Sequence, residues 1–259
     1  MNYKKYIEEI NKKGYTIIHD LYSSDFIDTV IKDYYRIKKE HREIKKKKGM
    51  DLNILDVSFH TIIDSKSHLA LFEKKIIEEI LTEYFNGPFI LNTTSITEIV
   101  PESKIYTKEI HRDIRSFQGA SALWMQMIIL FSESTQSNGA TWLLPPEKNT
   151  STKPDKDYFW QHAIQIEARK GDVMFFDPNL WHCSGSNNTN TSRIIMTPIF
   201  SKPFIKQQFD YPRAFGSEFS TRNSEYLCQI LGYNARTPEK LEQFYQKNSK
   251  DRFYKSNQG

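Results

Sequence analysis

The sequence predicts a mainly β protein, a sandwich or barrel with helices packed outside it, and three observations lead there. Apolar residues in the first third recur at helical spacing. From residue 89 to 200 the texture changes to short β-like runs separated by turn signals. No internal repeat and no linker rich in Gly, Ser or Pro divides the chain. At 259 residues one large domain with a real core is expected over 1–259. Within it, 1–88 reads as a helical support region, 89–205 as the β core and 206–259 as a C-terminal lid or interface segment.

The elements follow in order. Residues 15–19 read as an edge strand. Ser23 or Ser24 can cap a helix whose apolar positions Phe26, Ile27, Val30, Ile31 and Tyr34 fall on one face. It runs into the lysines 45–48 and stops near Gly49, where cations suit the helix C-terminus and read as a solvated end. A second helix is expected over 67–85, ended by Asn86-Gly87-Pro88. Candidate strands are 89–100, 121–131, 141–144, 163–168, 173–176 and 193–200. Thr237-Pro238-Glu239 looks like a late helix start, with a capping hydroxyl before a proline at the first helical position.

Composition excludes several classes. The 36 basic residues against 32 acidic ones leave a net charge of +4, too small to argue for nucleic acid, and no nucleic-acid motif is visible. No apolar run approaches the roughly 20 residues that span a bilayer. The charged amino terminus lacks the apolar stretch of a signal peptide. Two cysteines, Cys183 and Cys228, do not make a disulfide framework, and a cytoplasmic location is expected.

Chemistry concentrates in two blocks. In Ile110-His111-Arg112-Asp113, strand alternation projects His111 and Asp113 together and turns Arg112 away. In the second, Gly171-Asp172 turns into an apolar strand, and Asp177-Pro178-Asn179 then leads to His182. Arg193 opens the next strand, where it can stand beside His182 in one cavity. Two imidazoles and a carboxylate on one face of an octahedron leave three sites open, the arrangement used by non-haem iron(II) oxygenases. An arginine supplies the permanent forked cation that a dicarboxylate co-substrate needs at its far end. Ser184 shares strand parity with His182. Cys183 has the opposite parity and reads as a structural thiol. His19, His41, His60, His68 and His162 fit no ligand pattern.

With these residues in view, the sequence resembles the phytanoyl-CoA hydroxylase (phytanoyl-CoA dioxygenase) family of Fe(II)- and 2-oxoglutarate-dependent oxygenases. The likeness covers most of the chain: the opening Lys13-Gly14-Tyr15-Thr16-Ile17-Ile18, the His111-Arg112-Asp113 motif, Asn138-Gly139 with the strand after it, and the block from Gly171 to Arg193. Pro145-Pro146-Glu147-Lys148 departs from the family's Pro-Gly-Ser-His, and Arg112 stands where Gln is frequent. The resemblance implies a double-stranded β-helix (jelly-roll, cupin-like) with the N-terminal helices packed on one sheet. It implies iron(II) on His111, Asp113 and His182, 2-oxoglutarate on Arg193 and Ser184 with Asn92 as a third contact, and O2 as oxidant. The retained Asp113 disfavours halogenation. The expected reaction hydroxylates a C–H bond of a small polar metabolite with release of succinate and CO2. Arg115 and Trp142 are expected to line the substrate pocket. Residues 211–216 suggest a lid or a subunit contact, hence a homodimer through the C-terminal segment. Two other readings stay open: a zinc hydrolase on the same ligands, and a non-catalytic jelly-roll binding protein.

Overall fold

A computed structural model describes residues 3–52, 56–101, 106–114 and 122–259. Helix α1 (Lys4–Lys13) buries Tyr6 and Ile10 and ends at Gly14, whose φ of 79° is the left-handed turn that closes it. A side chain there would also collide with Leu180, so the turn requires glycine. Strand β1 (Tyr15–Ile18) follows directly, then α2 (Ser24–Lys47). Of the two candidate caps, Ser23 is the one used: its hydroxyl accepts from the Phe26 N–H. Ile27, Val30, Tyr34 and Ile37 form the buried stripe of α2. The lysine run at its end is not wholly solvated. Lys45 is buried and donates through Nζ to the Val57 carbonyl at 2.6 Å.

The single helix expected over 67–85 is two, α3 (Lys66–Ala70) and α4 (Lys75–Phe85). The break falls at Leu71–Lys74, where Leu71 and Phe72 are both fully buried in the large core. Ser65 caps α3, and Asn86 in the left-handed region ends α4.

Nine strands form two antiparallel sheets among the described residues. After the two-residue β2 (Ser58–Phe59) come β3 (Ile90–Ile99), β4 (Trp124–Leu130), β5 (Thr141–Leu143), β6 (Ile164–Ile166), β7 (Val173–Phe176), β8 (His182–Ser184) and β9 (Arg193–Ser201). The major sheet runs β1-β7-β4-β9-β3-β2 and the minor sheet β6-β5-β8. The fold is the expected jelly-roll. More residues lie in helix than in strand, because each minor-sheet strand is only three residues long.

Alternation gives the major sheet two different faces. Met125, Met127, Ile129, Val173, Phe175 and Met196 face the helices in one large core. Ile128, Leu130, Met174, Phe176 and Ile195 face inward and meet Leu143 and Ile166 of the minor sheet. Each fully buried aliphatic or aromatic side chain contributes about 1.5–3 kcal/mol of transfer free energy, so the helices are part of what holds the sheet.

Helix α5 (Lys156–His162) and the C-terminal helices α6 (Tyr211–Phe215), α7 (Phe219–Arg222) and α8 (Glu225–Ile230) were not expected from the sequence. The late helix does not start at Thr237. Helix α9 spans Leu241–Phe244, and the Gln243 side chain reaches back to accept from the Glu239 N–H, taking the place of the expected hydroxyl cap. Among the described residues no helix is long and apolar enough to cross a membrane. Both cysteines are free and buried.

Candidate active site

His111 and Asp113 do not lie on a regular strand. His111 is joined to His182 by a single antiparallel bridge, each N–H donating to the other's carbonyl at 2.9 Å. This pair of bonds ties the two blocks of sequence together at one point, between buried Ile110 and Ile114 on one side and β8 on the other. The imidazole rings come within 4.4 Å, centroid to centroid.

The ring nitrogens are assigned by their partners. His111 Nδ1 faces the Glu109 carbonyl at 2.7 Å and His182 Nδ1 faces the Leu180 carbonyl at 2.9 Å. A carbonyl oxygen only accepts, so each Nδ1 carries the proton and each Nε2 presents its lone pair to the cavity. Asp113 completes the group, with carboxylate oxygens 3.8 Å from His111 Nε2 and 3.4 Å from His182 Nε2. One ligand atom from each of the three lies within 4.8 Å of the others, close enough to hold one metal ion. Two imidazole nitrogens and one carboxylate oxygen are the donor set suited to iron(II).

Burial and charge act differently on the three side chains. Burial, with the neighbouring His182, holds His111 down to about 4, well below an ordinary histidine. Burial also opposes charge on His182, but the Asp113 carboxylate and its hydrogen bond outweigh it and raise His182. Burial likewise works against ionised Asp113, and the two histidines overcome it to hold the carboxyl below its usual range. The Phe176 ring meets the His182 ring edge-on at 5.0 Å and fixes its orientation.

The triad opens on a cavity of about 510 Å³ between the sheets. Registers order its floor. Thr93, Ile199, Gln126 and Phe176 form one row across β3, β9, β4 and β7. Arg193, of the same parity as Ile199 on β9, lies six residues back, about 20 Å at 3.3 Å per residue. Arg193 is fully buried behind Ser184. Its guanidinium donates to Ser134 Oγ at 3.3 Å and Ser184 Oγ at 3.4 Å, and it forms no ion pair among the described residues. Its Nε has no partner, and burial pulls the guanidinium down to about 10. Ser184 borders the cavity in front of it, and Thr141 stands opposite Ser184 on β5. Gly139, at φ 92°, lets the loop before β5 approach: a Cβ there would lie 2.6 Å from the Gly185 carbonyl.

Other expected site residues fall elsewhere. Asn92 does not border the cavity. It is the extra residue of a bulge between Leu91 and Thr93, which turns its amide to Ser201 Oγ and the Lys206 carbonyl. Trp142 lies between inward-facing Thr141 and Leu143, so it points to the outer face of the minor sheet. There it packs against the buried cluster of Ile110, Leu144, Phe159 and Cys183 and meets Trp160 edge-on at 5.4 Å. Arg115 lies outside the described residues. Arg112 does turn away from the ligands. It stacks on Trp181 at 4.3 Å and donates to the Thr150 and Ser151 carbonyls, pinning the loop that carries Lys153 to the cavity edge. Cys183 is buried with Ile110, Leu144 and Phe159, and burial pushes its thiol up to about 12. Gln126 and Thr93 were not singled out from the sequence, because strand parity groups residues by face without saying which face is inside, and the bulge at Asn92 shifts that parity before Thr93. No local signal singles out Ser134.

Fold and site together define a non-haem, 2-oxoglutarate-dependent dioxygenase. The model of the phytanoyl-CoA dioxygenase family matches residues 10–195, and the chain belongs to that family. It is 25% identical to the uncharacterized protein Rv1501 of Mycobacterium tuberculosis (strain ATCC 25618 / H37Rv), over 97% of this chain and 94% of that protein. Dioxygenase af480 of Aspergillus fumigatus is 28% identical over 41% of this chain and 35% of its own length. Among solved structures, HygX from Streptomyces hygroscopicus with nickel and 2-oxoglutarate bound superposes at a TM-score of 0.61. The identity is 11%, over 81% of this chain and 90% of HygX. SnoK, the non-heme alpha-ketoglutarate-dependent carbocyclase of nogalamycin biosynthesis, has a TM-score of 0.58 and 16% identity, over 76% and 83%. At these identities the structures speak for the fold.

Proposed function

We propose that this chain hydroxylates a C–H bond of a small polar metabolite, with His111, Asp113 and His182 holding iron(II) and with Arg193, Ser184 and Ser134 anchoring 2-oxoglutarate. One observation carries the reading: a fully buried guanidinium without a counter-charge, beside a cavity whose wall holds the three ligand atoms. An isolated buried cation costs several kcal/mol, and a carboxylate entering past Ser184 neutralises it. Bound iron(II), with 2-oxoglutarate and O2, supplies the oxidising power, and succinate and CO2 are the co-products.

The protein's own contribution is position and shelter. The Glu109 and Leu180 carbonyls fix both imidazole tautomers, and Phe176 holds the His182 ring. Ile128, Ile195 and Phe176 give the cavity an apolar part of its wall. Beside them, Thr93 and Gln126 are more than nine-tenths buried and carry side-chain oxygens without partners. Ser95, Thr197 and Gln208 continue that polar lining, which supports a substrate bearing hydroxyl or amide groups. The C-terminal segment reads as part of the cavity wall. Tyr211 is buried against His60, stacked Phe209 lies beside both, and Gln208 borders the cavity. Free buried cysteines suit a reducing cytoplasm, and subunit contact through 206–259 stays part of the reading.

The test is an anaerobic titration of the iron(II)-loaded chain with 2-oxoglutarate, followed by visible absorption. A weak metal-to-ligand charge-transfer band that saturates at one equivalent is expected. Bound iron with no band would remove the assignment and favour a zinc hydrolase on the same ligands.

A further inference from the structure

Outside the cavity, the C-terminal segment builds a second concavity of about 360 Å³, beyond the stretch matched by the family model. Four cationic side chains border it: Arg236, Lys250, Arg252 and Lys255. Glu225 is the one acid among its lining residues. That ratio differs sharply from the chain's 36 basic to 32 acidic residues. Elsewhere several exposed cations sit beside acids, as in Arg36–Glu40, Lys75–Glu78 and Arg222–Glu218. None of the four has an ion pair among the described residues.

The pocket is held in place by backbone. Ala235 and Tyr254 form an antiparallel bridge, with the Arg236 N–H donating to Phe253 O and the Lys255 N–H to Asn234 O. This brings two segments, one after α8 and one at the chain's end, to the same mouth. The Arg236 guanidinium lies over the Phe253 ring at 4.1 Å and donates Nε to the Tyr233 carbonyl. Its stem is thereby fixed while its two terminal nitrogens keep their donors. Ser220, Asn223 and Asn234 add neutral polar groups. Like charges converging on a concave surface repel one another, and the repulsion is relieved when an anion with several acceptor oxygens sits among them.

We propose that this pocket is a binding site for a phosphate group, free or carried as a phosphomonoester by a small molecule, separate from the metal-bearing cavity.

The experiment is isothermal titration of inorganic phosphate, and in a second arm glycerol 3-phosphate, into the full chain loaded with iron(II) and 2-oxoglutarate. Saturable one-to-one binding is expected, weakened about tenfold or more in the Lys250→Gln/Arg252→Gln double variant. Tighter binding of the ester assigns the pocket to a phosphorylated metabolite, and tighter binding of free phosphate assigns it to the inorganic ion. Phosphate held at the metal would bind wild type and double variant alike, which overturns the proposal, as does no binding at all. Both substituted side chains are exposed, so the variant should melt no lower than wild type in phosphate-free buffer. A lower melting point would show the cations to be structural and would also overturn it. These readouts do not depend on turnover, so they stand apart from the fate of the oxygenase assignment.

Discussion

Replacing Arg193 by Met should separate stability from co-substrate binding, because the same side chain acts on the two in opposite directions. Met keeps the length of the stem and removes the charge. The guanidinium is fully buried and pulled down to about 10, against about 12.5 or higher for a free one. At about 1.4 kcal/mol per pKa unit, that fall corresponds to roughly 3 kcal/mol of unfavourable burial. The sign follows from the direction. A base with a depressed folded-state pKa is penalised wherever it is charged, so the penalty is complete at neutral pH and fades only as pH rises above about 10. Against it stand two hydrogen bonds, 3.3 Å to Ser134 and 3.4 Å to Ser184, long enough that each contributes about 1 kcal/mol, below the roughly 1.5–3 kcal/mol of a well-formed bond to a charged group. The Met variant free of metal and 2-oxoglutarate should therefore be more stable by about 1 kcal/mol, or about 2–4 °C in melting temperature for a chain of this size. Its affinity for 2-oxoglutarate should fall at least about a hundredfold, since two charge-assisted bonds at about 1.5–3 kcal/mol each are lost. Thermal melts without ligand and anaerobic calorimetry with it read the two effects. A variant that melts lower than wild type, or binds 2-oxoglutarate as tightly, would refute the reasoning.

Further outcomes are expected. His182→Ala should retain no iron after equilibrium dialysis, whereas the Arg193→Met chain should retain its full complement by metal analysis, because Arg193 is no ligand. Trp142→Ala should cost about 2 kcal/mol in denaturant unfolding through lost packing on the Ile110, Leu144, Phe159 and Cys183 cluster and on Trp160, with 2-oxoglutarate affinity unchanged; a large loss of affinity would return Trp142 to the cavity. Gly14→Ala should destabilise by about 2 kcal/mol or more, from the left-handed backbone and the contact with Leu180, read as a lower melting point. His60 is held down to about 4 by burial. The unfolded chain therefore binds its proton first, and the stability from His60 is complete above about pH 6.5. It is lost as pH falls from there towards 4, and urea midpoints measured across that window should flatten in a His60→Gln variant.

What could be read from the sequence divides along a physical line. Patterns set by neighbours in the chain were legible: the stripe of α2, the Ser23 cap, the alternation that turns Arg112 away from His111 and Asp113. Features decided by distant packing were not. The break between α3 and α4 has no local stop signal, since Leu71-Phe72-Glu73-Lys74 holds no glycine or proline, and Leu71 and Phe72 are buried in a core supplied by elements far away in sequence. Asn92 leaves the cavity because of one bulged residue, which shows only in the register against β9. Trp142 is the instructive case. Its strand was expected at 141–144, and a choice of parity was available, but an isolated Thr-Trp-Leu does not say which face is inside. Only pairing with His182 and Ser184 across β8 fixes Thr141 and Leu143 as inward.

The same division explains why the triad was easier to find than its anchor's surroundings. His111 and Asp113 are two residues apart, and the bridge from His111 to His182 needs only those two residues to meet. Arg193 needs more. Its place depends on β9 pairing with both β3 and β4, on the chain after β4 bringing Ser134 beneath it, and on the glycine-assisted approach of the 138–140 and 185–187 segments that sets Ser184 in front. Each of these contacts is a neutral hydroxyl, and hydroxyls are common in this chain, so nothing local marks the ones that matter. A buried cation among hydroxyls, with its charge left uncompensated by the protein itself, is costly in the free chain and favourable once a carboxylate arrives. That asymmetry makes the affinity for 2-oxoglutarate, rather than the stability of the fold, the quantity on which Arg193 should be judged.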